Sequence, residues 1–291
     1  MARWVVIDAG LDCSGTGRGE AKAPAALRDA GVVTALGARD AGDVPISVND
    51  PTRDPVTGIV AVDELRMAVA AIRARVADAL RRGDQPLVLG GDCTVVIGAA
   101  AAVRQRLGRF GLVFIDGHPD YLDGASSPTG ESADMALAIL TGHGPSGLVD
   151  LGGTPPLVEP ADVVLVGHRS GDLGADVAAE RARLPNVVTQ VDSLALATEG
   201  GQRVGRRLVA SRRGPWWLHL DLDVLDEGAL PAVSYPQPGG LGWDDVTALL
   251  AALGADPGLV GVTVADFRPD LDADGWYARR IVDLLTVALA R

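Results

Sequence analysis

Three short runs of the chain collect acids, a thiol and imidazoles directly behind apolar segments. Leu87-Val88-Leu89 is followed by Gly90-Gly91-Asp92-Cys93, and Leu112 to Ile115 by Asp116-Gly117-His118-Pro119-Asp120. Trp216 to Leu218 leads into His219-Leu220-Asp221-Leu222-Asp223-Val224-Leu225-Asp226. Asp116, His118 and Asp120 alternate, so an extended chain would send their side chains out of one face and converge two carboxylates and an imidazole on one point. Asp221 and Asp223 keep the same period in an otherwise apolar strand. Like charges grouped in this way are costly without a counter-charge. Salt bridges to arginine would be one remedy, but no obvious partner lies within these segments. The other remedy is a cation. Five or six oxygen and nitrogen donors from neighbouring strand ends suit a pair of divalent ions about 3.5–4 Å apart, with which two-metal hydrolases make a nucleophile of water near neutral pH.

Taken singly, several of these residues have plainer roles. Asp92 reads more simply as a helix cap than as a ligand, and Cys93 alone as a small buried hydrophobe. His168 and His219 read as structural, satisfied by nearby backbone, and His143, between two glycines, as a solvated loop residue.

The elements that must position these clusters can be read from hydrophobic periodicity. Trp4 to Ile7, Leu87 to Leu89, Leu112 to Ile115, Val163 to Val166, Trp216 to Leu220 and Leu259 to Val264 are short aliphatic runs that read as strands buried on both faces. Between them, Leu65, Val69, Ile72, Val76 and Leu80 mark a helix with Asp63 as N-cap and Gly83 as terminator. Further helices are expected from Thr94 to near Gly108, from about Asp244 to Leu253, and from Tyr277 to Ala290. Alternating strands and helices predict an α/β fold around a doubly wound, mainly parallel sheet, with ligands at the carboxyl ends of its strands. No repeat or long linker divides the chain, and Pro231 to Gly240 reads as a loop, so residues 1–291 are expected to form a single domain.

Composition narrows the function classes. The 291 residues are 47% hydrophobic and 22% charged, which is globular. Lys and Arg number 26 against 38 Asp and Glu, a net charge of −12 that repels phosphate backbones and anionic headgroups. Neither nucleic acid nor membrane is an expected partner. The N-terminus lacks a signal-peptide pattern and two cysteines, Cys13 and Cys93, make no disulfide scaffold, so a cytoplasmic location is expected.

The order Gly-Gly-Asp-Cys, Asp-x-His-x-Asp and His-x-Asp-x-Asp-x-x-Asp resembles the ureohydrolase superfamily, which includes arginases, agmatinases and formimidoylglutamases. The likeness runs from about residue 85 to 270. It implies a three-layer α/β/α sandwich and a centre of two Mn ions whose bridging hydroxide attacks the carbon of a guanidine or amidine. By that resemblance one ion would be held by Cys93, Asp116, Asp120 and Asp221, and the other by Asp116, His118, Asp221 and Asp223. Asp120 would also orient the hydroxide. Asp266 would match the family's guanidinium-pairing Glu, one methylene shorter, and Asp172 would match an Asp near the substrate's α-amino group.

Cys93 stands where most members have a metal-binding His, and a thiolate suits Zn or Fe better than Mn. The ion near Cys93 is therefore expected to bind weakly or to be absent. The family's relay His after the second motif is also missing, the matching stretch being Gly130-Glu131-Ser132-Ala133-Asp134-Met135. Cys93 and Gly117 match a subgroup that includes hydrolases of Nω-hydroxyarginine. The expected activity is hydrolysis of a C–N bond in a small cationic guanidino compound with release of urea. The alternatives are an Nω-hydroxyarginine hydrolase, an agmatinase, a formimidoylglutamase or a catalytically inactive metal-binding relative. The family commonly assembles as homo-oligomers, trimers or hexamers.

Overall fold

The structure is a computed structural model that describes residues 3–169 and 175–290. Its strands are β1 Trp4–Ala9, β2 Arg39–Asp43, β3 Gln85–Gly90, β4 Gly111–Ile115, β5 Val163–Val166, β6 Thr189–Val191, β7 Trp216–Asp221 and β8 Leu259–Ala265. They form one eight-stranded sheet in the order β2-β1-β3-β8-β7-β4-β5-β6, and every pairing is parallel. The helices are α1 Ala23–Asp29, α2 Val32–Ala35, α3 Val62–Arg81, α4 Val95–Leu107, α5 Ala136–Leu140, α6 Ala175–Arg181, α7 Ser193–Glu199, α8 Gly201–Ser211, α9 Trp243–Gly254 and α10 Trp276–Leu289. None is long and apolar enough to cross a membrane among the described residues.

Strand alternation divides the buried side chains between two cores. Val5, Ile7, Val88, Leu112, Phe114 and Trp217 face α3, α4 and α5, while Val6, Leu87, Leu89, Val113, Leu218 and Leu220 face α1, α8, α9 and α10. Both faces of the central strands are therefore dry, which is why they read as unbroken apolar runs. The expected α/β/α sandwich is the observed one.

Element boundaries show where local signals were overridden. α3 begins at Val62 behind Ala61, whose φ is +50, rather than at an Asp63 cap. Ile59, Val60 and Val62 are buried and anchor the start earlier, leaving Asp63 in the first turn, paired with Arg66 at 2.7 Å, where an acid suits the positive end of the helix. α4 runs from the Thr94 cap to Gly108, as its pattern predicts. Strands β2 and β6 were not foreseen: both are sheet edges, short and largely polar, with no apolar alternation to mark them.

Candidate functional site

The four central strands end in one row. Leu89 pairs with Val264, Asp221 with Ala265, and Ile115 with Leu220. Cys93 beyond β3, Asp266 after β8, Asp221 at the tip of β7 and Asp116 after β4 are thereby brought side by side. Two glycines permit the crowding. A Cβ on Gly91 would fall 1.8 Å from the Leu11 carbonyl oxygen, and one on Gly117 would fall 2.5 Å from Arg169 Nη1 and 2.8 Å from Asp223 Oδ1.

Convergence is achieved differently from simple strand alternation. β4 stops at Ile115 and β7 at Asp221, and each motif then turns. Asp116 Oδ1 accepts from the His118 backbone N–H at 2.6 Å, and Asp221 Oδ1 accepts from that of Asp223 at 2.7 Å, closing a single turn over Leu222–Val224. Asp120 and Asp266 sit at φ +48° and +62°. Non-glycine residues are uncommon there, and such strain is held only where the surroundings impose it.

Ligand atoms cluster in three overlapping sets, each with members within 4.8 Å of one another: Cys93, Asp116, His219 and Asp221; Asp116, His118 and Asp223; and Asp221, Asp223 and Asp266. Asp116, Asp221 and Asp223 each belong to two of them. Asp120 belongs to none, but it lines the same cavity and its Oδ2 is buried with no hydrogen-bond partner. Burial, reinforced by neighbouring carboxylates, holds Asp116, Asp120, Asp221 and Asp266 well above the usual carboxylate range. Burial likewise raises the Cys93 thiol, with Asp221, Asp120 and Asp116 adding to it. Asp223 escapes: burial would raise it, but His118, 2.7 Å from its Oδ2, brings it down to about 2. Burial opposes charge on His118 too, yet Asp223 lifts that imidazole to about 9.

Among the described residues arginine supplies little of the missing positive charge, Arg169 helping to lower Asp223 alone of the ligand carboxylates. Arg169 is fully buried, but its guanidinium donates to the carbonyls of Asp223, Val224, Leu225, Gln237 and Pro238, at 2.9–3.3 Å. Oxygen, nitrogen and sulfur donors in overlapping sets, an unpartnered buried carboxylate oxygen and a shortage of cations fit a pair of divalent ions.

A cavity of about 440 Å³ opens above these groups. Sequence reasoning missed much of its wall. Glu20 is buried between two guanidinium groups, its Oε1 3.2 Å from Arg18 Nε and its Oε2 3.7 Å from Arg268 Nε, and Glu131 pairs with Arg18 at 2.5 Å. Burial raises Glu180 to about 7 while its Oε1 accepts from the Tyr121 backbone at 2.7 Å. Asp134 is raised to about 6 by the same cause. An acid in a loop or a short helix has no pattern that separates it from a solvated one. Asp266 stands on this wall and accepts from the Ser234 backbone N–H at 3.1 Å.

The remaining residues singled out in the sequence fall into place. Asp92 spends its carboxylate on the backbone of Cys13 and Thr94 at 2.6 and 2.8 Å. Asp226 ties down Gly228, Gly239 and Gly240. His143 is exposed, its ring 5.9 Å from Tyr121. His168 is buried and burial lowers it to about 4. His219 does not use backbone: its Nε2 lies 3.2 Å from Cys93 Sγ and its Nδ1 2.8 Å from Thr263 Oγ1. The period that aligns Asp221 with Asp223 would have placed His219 beside Asp221. Asp172 lies outside the described residues.

Comparison with known proteins agrees with this picture. A sequence model of the arginase family matches residues 2–290. The chain is 29% identical to an arginase of Brevibacillus brevis over 97% of its own length and 95% of the relative's. It is 31% identical to one of Bacillus caldovelox over 92% and 91%. The solved structure of Bacillus caldovelox arginase superposes with a TM-score of 0.91 at 28% identity, covering 100% of this chain and 99% of that one. Matched along its length in both sequence and fold, the chain belongs to the arginase family of metal-dependent hydrolases acting on C–N bonds.

Proposed function

We propose that this protein hydrolyses a small cationic guanidino compound, releasing urea and the corresponding amine, with a site for two Mn ions in which the one beside Cys93 is weakly held or absent. The observation that carries the reading is the set of overlapping donor clusters at the floor of an acid-walled cavity. Cys93, Asp116, His118, Asp120, Asp221 and Asp223 would hold the ions. When bound, they supply a water acidic enough to attack carbon near neutral pH.

The protein's own groups do the rest. Asp266 takes one edge of the planar guanidinium, the remaining lone pairs of its carboxylate being free after Ser234 is satisfied. Asp120 Oδ2, buried and without a partner, accepts a hydrogen bond from the attacking water and carries its proton towards the leaving amine. A C–O bond forms, the C–N bond breaks, and the amine departs with the proton. Asp120, Asp266 and Glu180 in the wall keep the cavity attractive to a cation and hostile to a dianionic amidine such as formiminoglutamate. Asp172 is proposed to lie near the far end of the substrate. Cys93 and Gly117 favour Nω-hydroxyarginine as a second substrate candidate, since its hydroxyl brings a ligating oxygen of its own.

One sheet with a core on each face supports reading residues 1–291 as a single domain. A cytoplasmic homo-oligomer, trimer or hexamer, completes the reading by analogy with the family. The deciding experiment is urea release by Mn-loaded protein from arginine, agmatine and Nω-hydroxyarginine, with formiminoglutamate as control. Turnover of at least one cationic guanidine is expected. No turnover of any of the four with two ions bound would favour the inactive metal-binding alternative.

A further inference from the structure

His219 lies inside one of the donor clusters, with Cys93, Asp116 and Asp221. It lies on β7 between Thr263 of β8 and Phe114 of β4, its cross-strand partners, and its ring is fully buried against that of Phe114 at a centroid distance of 4.5 Å. Thr263 anchors Nδ1, its Oγ1 lying 2.8 Å away. Its hydroxyl has one hydrogen and two lone pairs. The Leu218 carbonyl at 3.4 Å takes the hydrogen and the Trp217 indole N–H at 3.3 Å fills one lone pair. The second lone pair can accept from His219 Nδ1–H at 2.8 Å, in the tautomer that an ion on Nε2 would select. In that tautomer Nε2 presents its lone pair towards Cys93 Sγ, 3.2 Å away. A metal-binding histidine is typically set up in this way, one nitrogen donating to an anchor and the other free.

Cys93 Sγ is also 3.8 Å from Asp116 Oδ2 and within hydrogen-bond reach of Asp221 Oδ2. All four donors lie within 4.8 Å of one another. We propose that His219 supplies the imidazole that position 93 lacks, so that the ion at the β3 end of the centre is held by His219 Nε2, Cys93 Sγ, Asp116 and Asp221. That is one nitrogen, one sulfur and two oxygens, a four-donor set suited to Zn or Co rather than Mn. The centre is therefore asymmetric, with His118 and Asp223 forming the harder half. The proposal rests on the reading of the cluster as a metal centre but on no particular substrate.

The test uses the full chain titrated with Co(II) to two equivalents. Wild type is expected to show a thiolate-to-cobalt charge-transfer band and, by proton NMR, two hyperfine-shifted exchangeable imidazole N–H signals. The signal from His219 exchanges slowly because it is buried. In His219→Gln one shifted signal disappears and the affinity of the sulfur-ligated site, read from the charge-transfer titration, falls at least tenfold. In Thr263→Val the signal survives with a smaller loss of affinity. A single shifted imidazole in wild type, which needs no variant to fold, overturns the proposal. So does a His219→Gln protein whose cobalt affinity is within twofold of wild type and whose shifted signals are all retained. Failure of the metal-centre reading is distinguishable, because no cobalt would bind at all.

Discussion

Asp116 and Asp221 each belong to two donor sets, so removing either leaves several buried acids facing one another with neither ion properly held. Asp116→Ala and Asp221→Ala are expected to lose both ions and all hydrolytic activity, with elemental analysis as the check. Full metal content in either variant would end its assignment as a shared ligand. Asp266 separates two roles. If it binds the guanidinium, Asp266→Ala leaves metal content unchanged and lowers kcat/KM by the equivalent of about 2–5 kcal/mol. A parallel fall in metal content would make it a ligand instead, since it also lies within 4.8 Å of Asp221 and Asp223 donors. At position 93 the softness of sulfur governs metal choice. Cys93→His is expected to raise Mn occupancy over wild type, measured by elemental analysis after loading and desalting; equal stoichiometry would show that the thiol does not decide which ion binds.

The elements place these residues with an economy that only part of the sequence displays. The runs that became β3, β4 and β7 were legible because both their faces are dry, and the acids at their ends were legible because charge beside such runs is unusual. Their shared destination depends on β8 lying between β3 and β7, which no local pattern states. The partner of His219 is hidden for a related reason: Thr263, not backbone, meets its Nδ1, and Thr263 is 44 residues away on the neighbouring strand. Arg169 shows the same dependence. Its donors bind carbonyls on both the segment after Asp223 and the Pro231 to Gly240 loop, and that loop delivers Ser234 to Asp266. Arg169→Met would strand the buried carbonyls of Asp223, Val224 and Leu225 at roughly 1–3 kcal/mol for each left unsatisfied. A clearly lower unfolding midpoint and weaker binding of the His118-side ion are expected. Unchanged denaturant midpoint and metal affinity would show that the two loops hold their positions without it.

For the whole molecule, a net charge of −12 and a floor of buried acids make stability depend on pH and metal together. Burial raises Asp92 and Asp134 to about 6 and Glu180 to about 7. The folded chain therefore binds more protons than the unfolded one just above the ordinary carboxylate range, and stability from these groups is lost as pH rises through their folded values. His118 works in the same direction: burial opposes its charge, but Asp223 raises it to about 9, so its contribution is full below pH ~6.5 and lost as pH climbs towards its folded value. His168, lowered to about 4 by burial, works the other way, but its loss comes as pH falls below ~6.5. Between pH 6 and 8.5 the metal-free chain is thus expected to become less stable with rising pH. A single carboxylate held two units up costs about 3 kcal/mol when forced to ionise, enough to move Tm by several degrees. Bound ions reverse the slope, because ligands must be deprotonated to bind and the cation offsets their repulsion. Thermal melts at pH 6 and 8.5, in excess chelator and in saturating divalent metal, check this directly. The chelated protein should melt lower at pH 8.5, and the interval between chelated and loaded Tm should widen with pH. A chelated Tm that is flat or rises over this range would mean that the buried acids already have their counter-charges within the protein.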